Sequence, residues 1–291
     1  MRASTKTPHV MTIEENWLTG DEVTQQESPN TSGAFGDALP DTLVVHFTGG
    51  RSATSSANWL CNPKAKASAH VIIGQKGEII QLVPFDTVAW HAGKSTWEER
   101  TGLNKYSIGI ELDNPGRLEQ RAKGFYTWFG TQVADGLVTH TTHRNETEPT
   151  YWQAFSEAQI TATEALCELL MDTYSIQWIL GHEEISPSRK VDPGPAFPLD
   201  KLRNNLLYQD RHHEDAESFD DQIGNQGQSA TVTADLLNIR SAPRGNAGKV
   251  MPALPKGTQV EVLERKGDWA RVVVETEGWV SAQYLNKTGK P

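Results

Sequence analysis

The chain has 291 residues, of which 37% are hydrophobic and 22% charged, and its formal net charge is −10 at pH 7. This composition is ordinary for a globular protein and excludes an intrinsically disordered or fibrous chain. No segment has the about 20 apolar residues that a membrane-spanning helix needs, so no membrane insertion is expected. The acidic balance also disfavours a nucleic acid as partner.

The N-terminal residues and the cysteines bear on the cellular compartment. The N-terminus carries early cations but lacks the apolar run of a secretory signal. We therefore expect a protein with no Sec signal peptide, made in the cytoplasm, which either works there or leaves by lysis or a dedicated export machine. Cys61 and Cys167 are too few for a disulfide framework or a cysteine metal cluster, and we expect both to be buried apolar fillers.

A polar segment divides the chain. Residues 208–229, YQDRHHEDAESFDDQIGNQGQS, contain six acidic residues and one arginine, a composition typical of a linker. His212 and His213 within it are too solvated to form a preformed metal site. With roughly 100–200 residues per domain, the chain is predicted to have a large domain over residues 1–207 and a small one over residues 230–291.

Apolar runs in the large domain predict strands. TLVVHFTGG (42–50) is a β-branched run that ends in Gly-Gly. AHVIIGQKGEIIQLVP (69–84) reads as two strands joined by a Gln-Lys-Gly turn, and YSIGIELDNPG (106–116) is a further run closed by Asn-Pro-Gly. These runs are predicted to be strands of one sheet.

The hydrophobic period then changes between Phe155 and Tyr174, where small and apolar residues recur three or four apart, as on the buried face of a helix. The residues of this face are Ala158, Ala162, Ala165, Leu166, Leu169, Leu170 and Thr173. Ser156 and Gln159 have the spacing of a capping box. Another apolar run, IQWILGHEE (176–184), follows. The predicted fold class is therefore α/β, with a mixed central β-sheet flanked by helices.

The small domain has a different pattern. Its short apolar runs, in ATVTADLLNIRSAP, GKVMPALPKGTQVEVLER, GDWARVVVE and EGWVSAQYL, are separated by Gly, Pro and Asp at close intervals. Such spacing predicts a small all-β barrel.

One stretch, GHEEISPSRKVDPGPAF (181–197), has an unusual density of polar groups. A catalytic zinc takes three protein ligands, commonly histidines with one carboxylate, and leaves a position for water. His182 follows an apolar run and Asp192 comes ten residues later, while His46 also ends a predicted strand, so the three could meet at one rim of the sheet. A capped loop and two hydrogen-bonded strand-end histidines explain the same spacing, and the residues alone leave both interpretations open.

Five motifs in order favour the metal site. VVHFTGG, SAHVIIGQKGEIIQLVP, VAWHAGKSTW, NKYSIGIELDNPG and GHEEISPSRKVDPGPAF resemble the zinc-dependent N-acetylmuramoyl-L-alanine amidases of the peptidoglycan-recognition and phage-amidase superfamily. The resemblance runs from about residue 12 to residue 207. It implies one Zn²⁺ per chain, held by His46, His182 and Asp192.

The same resemblance implies two catalytic residues. Glu111, in SIGIELDN, matches the catalytic glutamate, which would take a proton from the zinc-activated water and pass it to the departing amine. Lys190 matches the lysine whose positive charge would stabilise the oxyanion of the tetrahedral intermediate. Without the motifs, a strand carboxylate paired with a cation and a solvated loop lysine would explain these residues as well.

Three further residues match family positions. Trp90 and His91, in AWHAG, resemble a segment that lines the substrate groove, although packing explains them equally well. His70, in SAHVI, also matches, but a strand histidine bonded to backbone accounts for it as well.

The small domain resembles bacterial SH3-like domains through LLNIRSAP, LPKGTQVEVLER, WARVVVE and GWVSAQYL. That resemblance implies binding to cell-wall peptide or glycan, which would tether the amidase to its polymer. An interaction domain that binds another protein is the alternative.

These resemblances imply a peptidoglycan hydrolase that cuts the amide bond between N-acetylmuramic acid and L-alanine of the stem peptide. We expect it to act on intact cell wall, as a lysin or as an effector delivered by a secretion or contractile machine. Two alternatives are a non-catalytic peptidoglycan receptor, which the complete set of matched residues disfavours, and a cytoplasmic amidase that recycles small muropeptides.

Overall fold

The computed structural model describes residues 11–207, 228–233, 236–237, 239–240, 254–255, 257–266 and 269–274. The chain divides into two compact units, Met1–Leu207 and Tyr208–Pro291. Most of the predicted acidic linker, including His212 and His213, lies outside the described residues. Among the residues described, no helix is long and apolar enough to cross a membrane.

The elements of the first unit are numbered here in chain order. Its strands are β1 (Thr12–Glu14), β2 (Trp17–Thr19), β3 (Val23–Gln25), β4 (Thr31–Ala34), β5 (Thr42–Phe47), β6 (Val71–Ile73), β7 (Ile79–Gln81), β8 (Thr87–Ala89), β9 (Thr96–Trp97), β10 (Arg100–Thr101), β11 (Ser107–Leu112), β12 (Arg117–Arg121), β13 (Gly124–Tyr126), β14 (Gln132–Val133), β15 (Val138–Thr142), β16 (Pro149–Gln153) and β17 (Trp178–Gly181). Its α-helices are α1 (Ala53–Leu60), α2 (Glu157–Thr173), α3 (His182–Ile185) and α4 (Leu199–Leu207).

A six-stranded sheet in the order β17-β5-β11-β6-β7-β3 forms the centre of this unit. Strands β17, β5, β11 and β6 run parallel, β6 and β7 form the predicted antiparallel hairpin, and β3 is parallel to β7. The predicted mixed α/β fold is confirmed. The carboxyl ends of parallel strands meet at one edge of a sheet, which is where α/β proteins place their sites.

The strand register brings the candidate residues together at that edge. Glu111 of β11 is the direct neighbour of His46 of β5. Gly181, the last residue of β17, pairs with Val45 on the other side of β5. His182 therefore enters the edge next to His46, because it directly follows Gly181.

The central sheet is covered on both faces, which is why β5 and β11 read as nearly continuous apolar runs. On one face, α2 contributes Ala162, Leu166 and Leu170 to the main core. The strand residues of the same core include Leu43, Val45, Ile108, Ile110 and Leu112. On the other face, Val44 packs with a second cluster made of Ala92, Leu103, Leu180 and Ile185.

Helix α2 lies inside the predicted range, but its buried face and its cap differ from the prediction. Thr173 is exposed, whereas Gln159 is buried. The Ser156 Oγ accepts a hydrogen bond from the Gln159 backbone N–H at 3.1 Å, which is half of the predicted capping box. The Gln159 side chain does not return that bond: its Oε1 accepts no hydrogen bond within the described part of the chain, while its Nε2 donates to the carbonyl oxygens of Ile73 (2.8 Å) and Asp113 (3.3 Å).

A five-stranded antiparallel sheet, in the order β14-β13-β12-β16-β15, lies between β11 and α2 in the chain. The pattern of apolar residues did not predict it. The chain turns into this sheet at Gly116, whose φ is +78° and whose absent Cβ would lie 2.4 Å from the Phe47 ring. Only glycine fits there, on both counts. We call residues 117–153 the inserted sheet.

In the second unit, the described residues with regular secondary structure are all in strands, as predicted. Its described strands are β18 (Gln228–Thr231), β19 (Leu236–Leu237), β20 (Leu254–Pro255), β21 (Gln259–Lys266) and β22 (Trp269–Val273). Strands β18, β21 and β22 form an antiparallel sheet, and β19 pairs with β20. A small apolar core contains Val232, Leu254 and Val260.

Replacing Gln159 by alanine is expected to lower the free energy of unfolding by about 2 kcal/mol, because the Asp113 carbonyl loses the amide donor and the Ile73 carbonyl keeps only the Asp113 N–H. Chemical denaturation followed by circular dichroism measures the change. Glu168→Gln, an exposed change on the same helix, is the control and should stay within about 0.5 kcal/mol of the parent. Equal stabilities of Gln159→Ala and the control would show that the amide does not tie α2 to the sheet.

Candidate metal centre and active site

Three side chains converge at the carboxyl edge of the sheet. The Nδ1 atoms of His46 and His182 are 2.8 Å apart, and each lies 2.9 Å from Oδ2 of Asp192. All three residues are buried. The structure thus brings together the three predicted metal ligands, which come from β5, from the start of α3 and from the loop before α4.

Neighbouring groups determine which ring nitrogen of each histidine carries hydrogen. His182 Nε2 donates to the carbonyl oxygen of Ala92 (3.2 Å), so its Nδ1 keeps a free lone pair. His91 Nε2 donates to the carbonyl oxygen of Ser107 (3.1 Å), so its Nδ1 accepts. His46 Nε2 therefore donates to His91 Nδ1 (3.0 Å), and His46 Nδ1 also keeps a free lone pair.

The resulting site fits a cation. Two imidazole lone pairs and a carboxylate oxygen face one another with no hydrogen between them, an arrangement that repels unless a positive ion sits among the atoms. Burial, together with the neighbouring His182, lowers the pKa of His46 to about 4, so that ring is neutral at neutral pH. Two imidazole nitrogens and a carboxylate oxygen are a donor set that Zn²⁺ accepts, with a fourth position left for water or substrate.

The loop that carries Asp192 is fixed by Glu183. The Glu183 backbone N–H donates to the carbonyl oxygen of Asp192 (2.8 Å), and its Oε2 accepts from the Gly194 backbone N–H (3.0 Å). The same oxygen lies 2.7 Å from Nε2 of His143, a fully buried residue of the inserted sheet. Groups that orient metal ligands in this way tune the site almost as strongly as the ligands themselves. Sequence reasoning missed His143 and Glu183, because their contact joins residues 40 positions apart.

Glu111, the neighbour of His46 on β11, has one carboxylate oxygen without a hydrogen-bond partner among the residues that the structure describes. That oxygen, Oε2, is buried. Burial, assisted by the negative charge of Asp192, raises the pKa of Glu111 to about 8, while the charge of Lys190 opposes that rise. A carboxyl whose pKa lies near the working pH is suited to both accept and release a proton.

Lys190 is half-buried in the loop between α3 and Asp192. Its ammonium is near enough to lower the pKa of both Glu111 and His46. The adjacent Arg189 has a structural function, because its guanidinium donates to the carbonyl oxygen of Lys94 (2.9 Å) and to Ser186 Oγ (3.0 Å). The two cations of this stretch therefore differ: one is tied to the backbone and the other faces the site.

Trp90 and His91, the predicted substrate-binding pair, point in different directions. The half-buried Trp90 donates its indole N–H to Ser32 Oγ at 2.6 Å. His91 is turned inward behind His46, with both ring nitrogens bonded within the protein. Its ring covers Gly109, where a Cβ would lie 2.4 Å from His91 Cγ. This geometry favours a positioning role for His91 over the substrate contact that the sequence suggested.

His70 is bonded to backbone through both ring nitrogens. Its Nδ1 accepts from the Gly109 N–H at 3.0 Å, and its Nε2 donates to the carbonyl oxygen of Thr87 at 2.9 Å. The structure thus supports the packing interpretation of this histidine.

Comparison with known proteins adds two family matches. Residues 36–195, more than half of the chain, match the family model for N-acetylmuramoyl-L-alanine amidase. Residues 235–286 match the model for the bacterial SH3 domain.

Curated relatives agree with the first match. The 1,6-anhydro-N-acetylmuramyl-L-alanine amidase AmpD of Escherichia coli is 30% identical over 212 residues, which cover 66% of this chain and 96% of the relative. The N-acetylmuramoyl-L-alanine amidase AmiD of the same organism is 33% identical over 169 residues, which cover 55% of this chain and 51% of the relative.

Solved structures with similarity to the chain include a selenomethionine derivative of AmpD, with a TM-score of 0.46, 30% identity, and coverage of 66% of this chain and 98% of that one. Another is Escherichia coli AmiD in complex with anhydro-N-acetylmuramic acid-L-Ala-D-gamma-Glu-L-Lys, with a TM-score of 0.42, 27% identity, and coverage of 69% and 72%.

The predicted amidase activity and the predicted SH3-like module are confirmed by the two family matches and the AmpD relative. The chain belongs to the N-acetylmuramoyl-L-alanine amidase family and carries a bacterial SH3 domain over residues 235–286.

Proposed function

We propose that this amidase cuts the bond between N-acetylmuramic acid and L-alanine in intact peptidoglycan, using zinc held by His46, His182 and Asp192. The observation that carries the proposal is the convergence of three hydrogen-free donor atoms beside the unpaired carboxylate of Glu111. When bound there, zinc supplies a Lewis acid and lowers the pKa of water toward about 7.

The protein groups then have separate tasks. Glu111 takes a proton from the attacking water at its unpaired oxygen and delivers it to the nitrogen of the departing L-alanine, a route that suits its raised pKa. Lys190 places a positive charge where the carbonyl oxygen becomes negative. His91 and the Ala92 carbonyl hold His46 and His182 in the tautomers that keep both Nδ1 atoms free for the metal.

The bacterial SH3 match favours intact wall as substrate. A second binding module raises the effective concentration of the active site near a polymer, whereas a small soluble fragment gains nothing from a tether. Release by lysis, as for a lysin, or through a secretion or contractile machine would bring the enzyme to the wall.

A second candidate is recycling of small muropeptides, which is favoured by the name of the AmpD relatives, amidases of 1,6-anhydro-N-acetylmuramyl-L-alanine. Non-catalytic recognition is the weakest candidate, because Glu111 and Lys190 accompany a complete ligand set.

Purified chain incubated with isolated sacculi should release stem peptides that begin with L-alanine, detected by mass spectrometry. A chelator should abolish the release, and Glu111→Gln should reduce its rate by about 10²- to 10⁴-fold, the usual contribution of general acid–base catalysis. Glu119→Gln, an exposed change in the inserted sheet, is the matched control with full activity. Release only from soluble fragments would support recycling, and binding to sacculi without release from any substrate would support a receptor.

Removing one donor of the metal centre should remove the metal. Asp192→Ala and His182→Ala are each expected to lower the zinc content of dialysed protein from one per chain to near zero, because two protein ligands do not retain the ion. Elemental analysis measures the content. His140→Ala, which changes an exposed histidine of the inserted sheet, should keep a full complement, and an equal loss there would refute the assignment.

Deleting residues 230–291 should lower the rate on sacculi by about tenfold or more, the loss expected when a tether is removed. The rate on a soluble monosaccharide muropeptide should stay the same, because that substrate engages only the amidase unit. Both rates are followed through the release of stem peptide at equal enzyme concentration. Unchanged rates on both substrates would indicate that the second unit binds another partner.

A further inference from the structure

The inserted sheet presents an exposed aromatic group next to the candidate active site. Trp128, in the turn between β13 and β14, is 66% exposed, a large fraction for a tryptophan. The Phe129 ring lies edge-on to it at 5.3 Å, and the Arg51 guanidinium lies 4.5 Å above the Phe129 ring. We call Trp128, Phe129 and Arg51 the Trp128 platform.

The platform is attached to the loop that follows His46. The indole N–H of Trp128 donates to the carbonyl oxygen of Gly49 at 2.8 Å, only three residues after His46. That loop is itself bonded to the end of β11, because Thr48 N–H donates to the Leu112 carbonyl (2.9 Å) and Gly49 N–H to the Asn114 carbonyl (3.0 Å). The platform therefore lies on the edge of the sheet that carries the three converging donors.

The turn holds Trp128 in a defined position. Thr127 closes the turn with three bonds: its N–H donates to the Thr131 carbonyl (2.9 Å), its carbonyl accepts from Gly130 N–H (2.9 Å), and its hydroxyl oxygen accepts from Thr131 N–H (2.9 Å). Because the polar N–H of Trp128 is already satisfied by Gly49, what remains exposed is apolar ring surface. Such a preorganised surface binds a partner without paying further ordering entropy.

The chemistry of the surface matches a sugar ring. The face of an indole carries partial negative charge, and a pyranose presents a face of C–H bonds with partial positive charge. The exposed Arg51 adds N–H donors, which suit hydroxyl and acetamido oxygens at the rim of such a ring. A flat ring face with donors beside it is the combination that a glycan chain of N-acetylated sugars needs.

We propose that the Trp128 platform is a subsite for a glycan sugar beyond the muramyl residue whose amide is cut. This inference rests on the proposed function and deepens it, since it makes the inserted sheet a sensor of glycan length. A substrate that extends over the platform gains a contact that a single muramyl peptide lacks.

The test compares two soluble substrates with the same stem peptide, a muramyl monosaccharide and a tetrasaccharide, cleaved by the full chain. Trp128→Leu should lower kcat/KM for the tetrasaccharide about fivefold, the effect of losing one aromatic contact. Its effect on the monosaccharide should be less than twofold, and Trp128→Phe should recover most of the loss because it keeps an aromatic face. Trp59→Leu, at a tryptophan of α1 that is 57% exposed, is the control and should change neither value.

A binding measurement makes the inference independent of catalysis. Titration of the full chain with a peptide-free glycan tetrasaccharide should give a Kd about fivefold weaker for Trp128→Leu than for the parent. If the parent releases no stem peptide from any substrate, the proposed function fails, and this titration still decides the subsite.

Three results would overturn the subsite. An equal loss on both soluble substrates would show that Trp128 supports the Gly49 loop or contacts the stem peptide. No loss on either, or an unchanged Kd for the glycan, would show that the platform binds no sugar.

Discussion

The site depends on one electrostatic constraint: three electron-pair donors lie within 3 Å of one another in a buried place with no hydrogen between them. Both histidines keep their Nδ1 lone pairs free because their Nε2 atoms donate elsewhere: His182 to the Ala92 carbonyl and His46 to His91 Nδ1. Without an ion, the arrangement opposes folding of this edge, and an ion that binds only the folded chain turns its binding energy into stability. Catalysis and folding therefore both require a cation among these three donor atoms.

That constraint explains the polar density of residues 181–197. Two residues of the stretch, His182 and Asp192, are the proposed ligands, and three others hold the loop in place. Glu183 ties the Asp192 carbonyl and the Gly194 N–H to α3, and Arg189 fixes the loop to the Lys94 carbonyl. Gly194 has a φ of +74° and packs on Trp152, where a Cβ would lie 2.9 Å from the indole. Lys190 lies near enough to Glu111 to lower its pKa, and it is the residue proposed to meet the substrate oxyanion.

Local sequence signals predicted the parts of the fold that depend on local physics. The apolar runs located β5, β6, β7 and β11, and the helical period located α2 to within two residues. The ligands and Glu111 came from motif resemblance, because spacing alone left a simple capped loop open. The inserted sheet and the His143–Glu183 contact were not predicted, since the short strands of that sheet are polar on their exposed faces and their pairing is set by tertiary contacts. The inward turn of His91 was equally invisible, because it requires the missing side chain of Gly109 on a neighbouring strand.

The inserted sheet has separate residues for substrate selection and for support of the catalytic groups. The sheet makes two contacts near the site: His143 meets Glu183, which is bonded to the Asp192 loop, and Trp128 donates to the Gly49 carbonyl, three residues after His46. The first contact is buried, so changes there would shift Asp192, one of the proposed ligands. In the second contact, Trp128 bonds to the Gly49 carbonyl while its ring surface faces solvent. Changes at Trp128 therefore alter which substrate binds and leave the positions of the three donor atoms unchanged. Substitutions at Trp128 and Phe129 can therefore tune the choice of polymer without disturbing the metal centre.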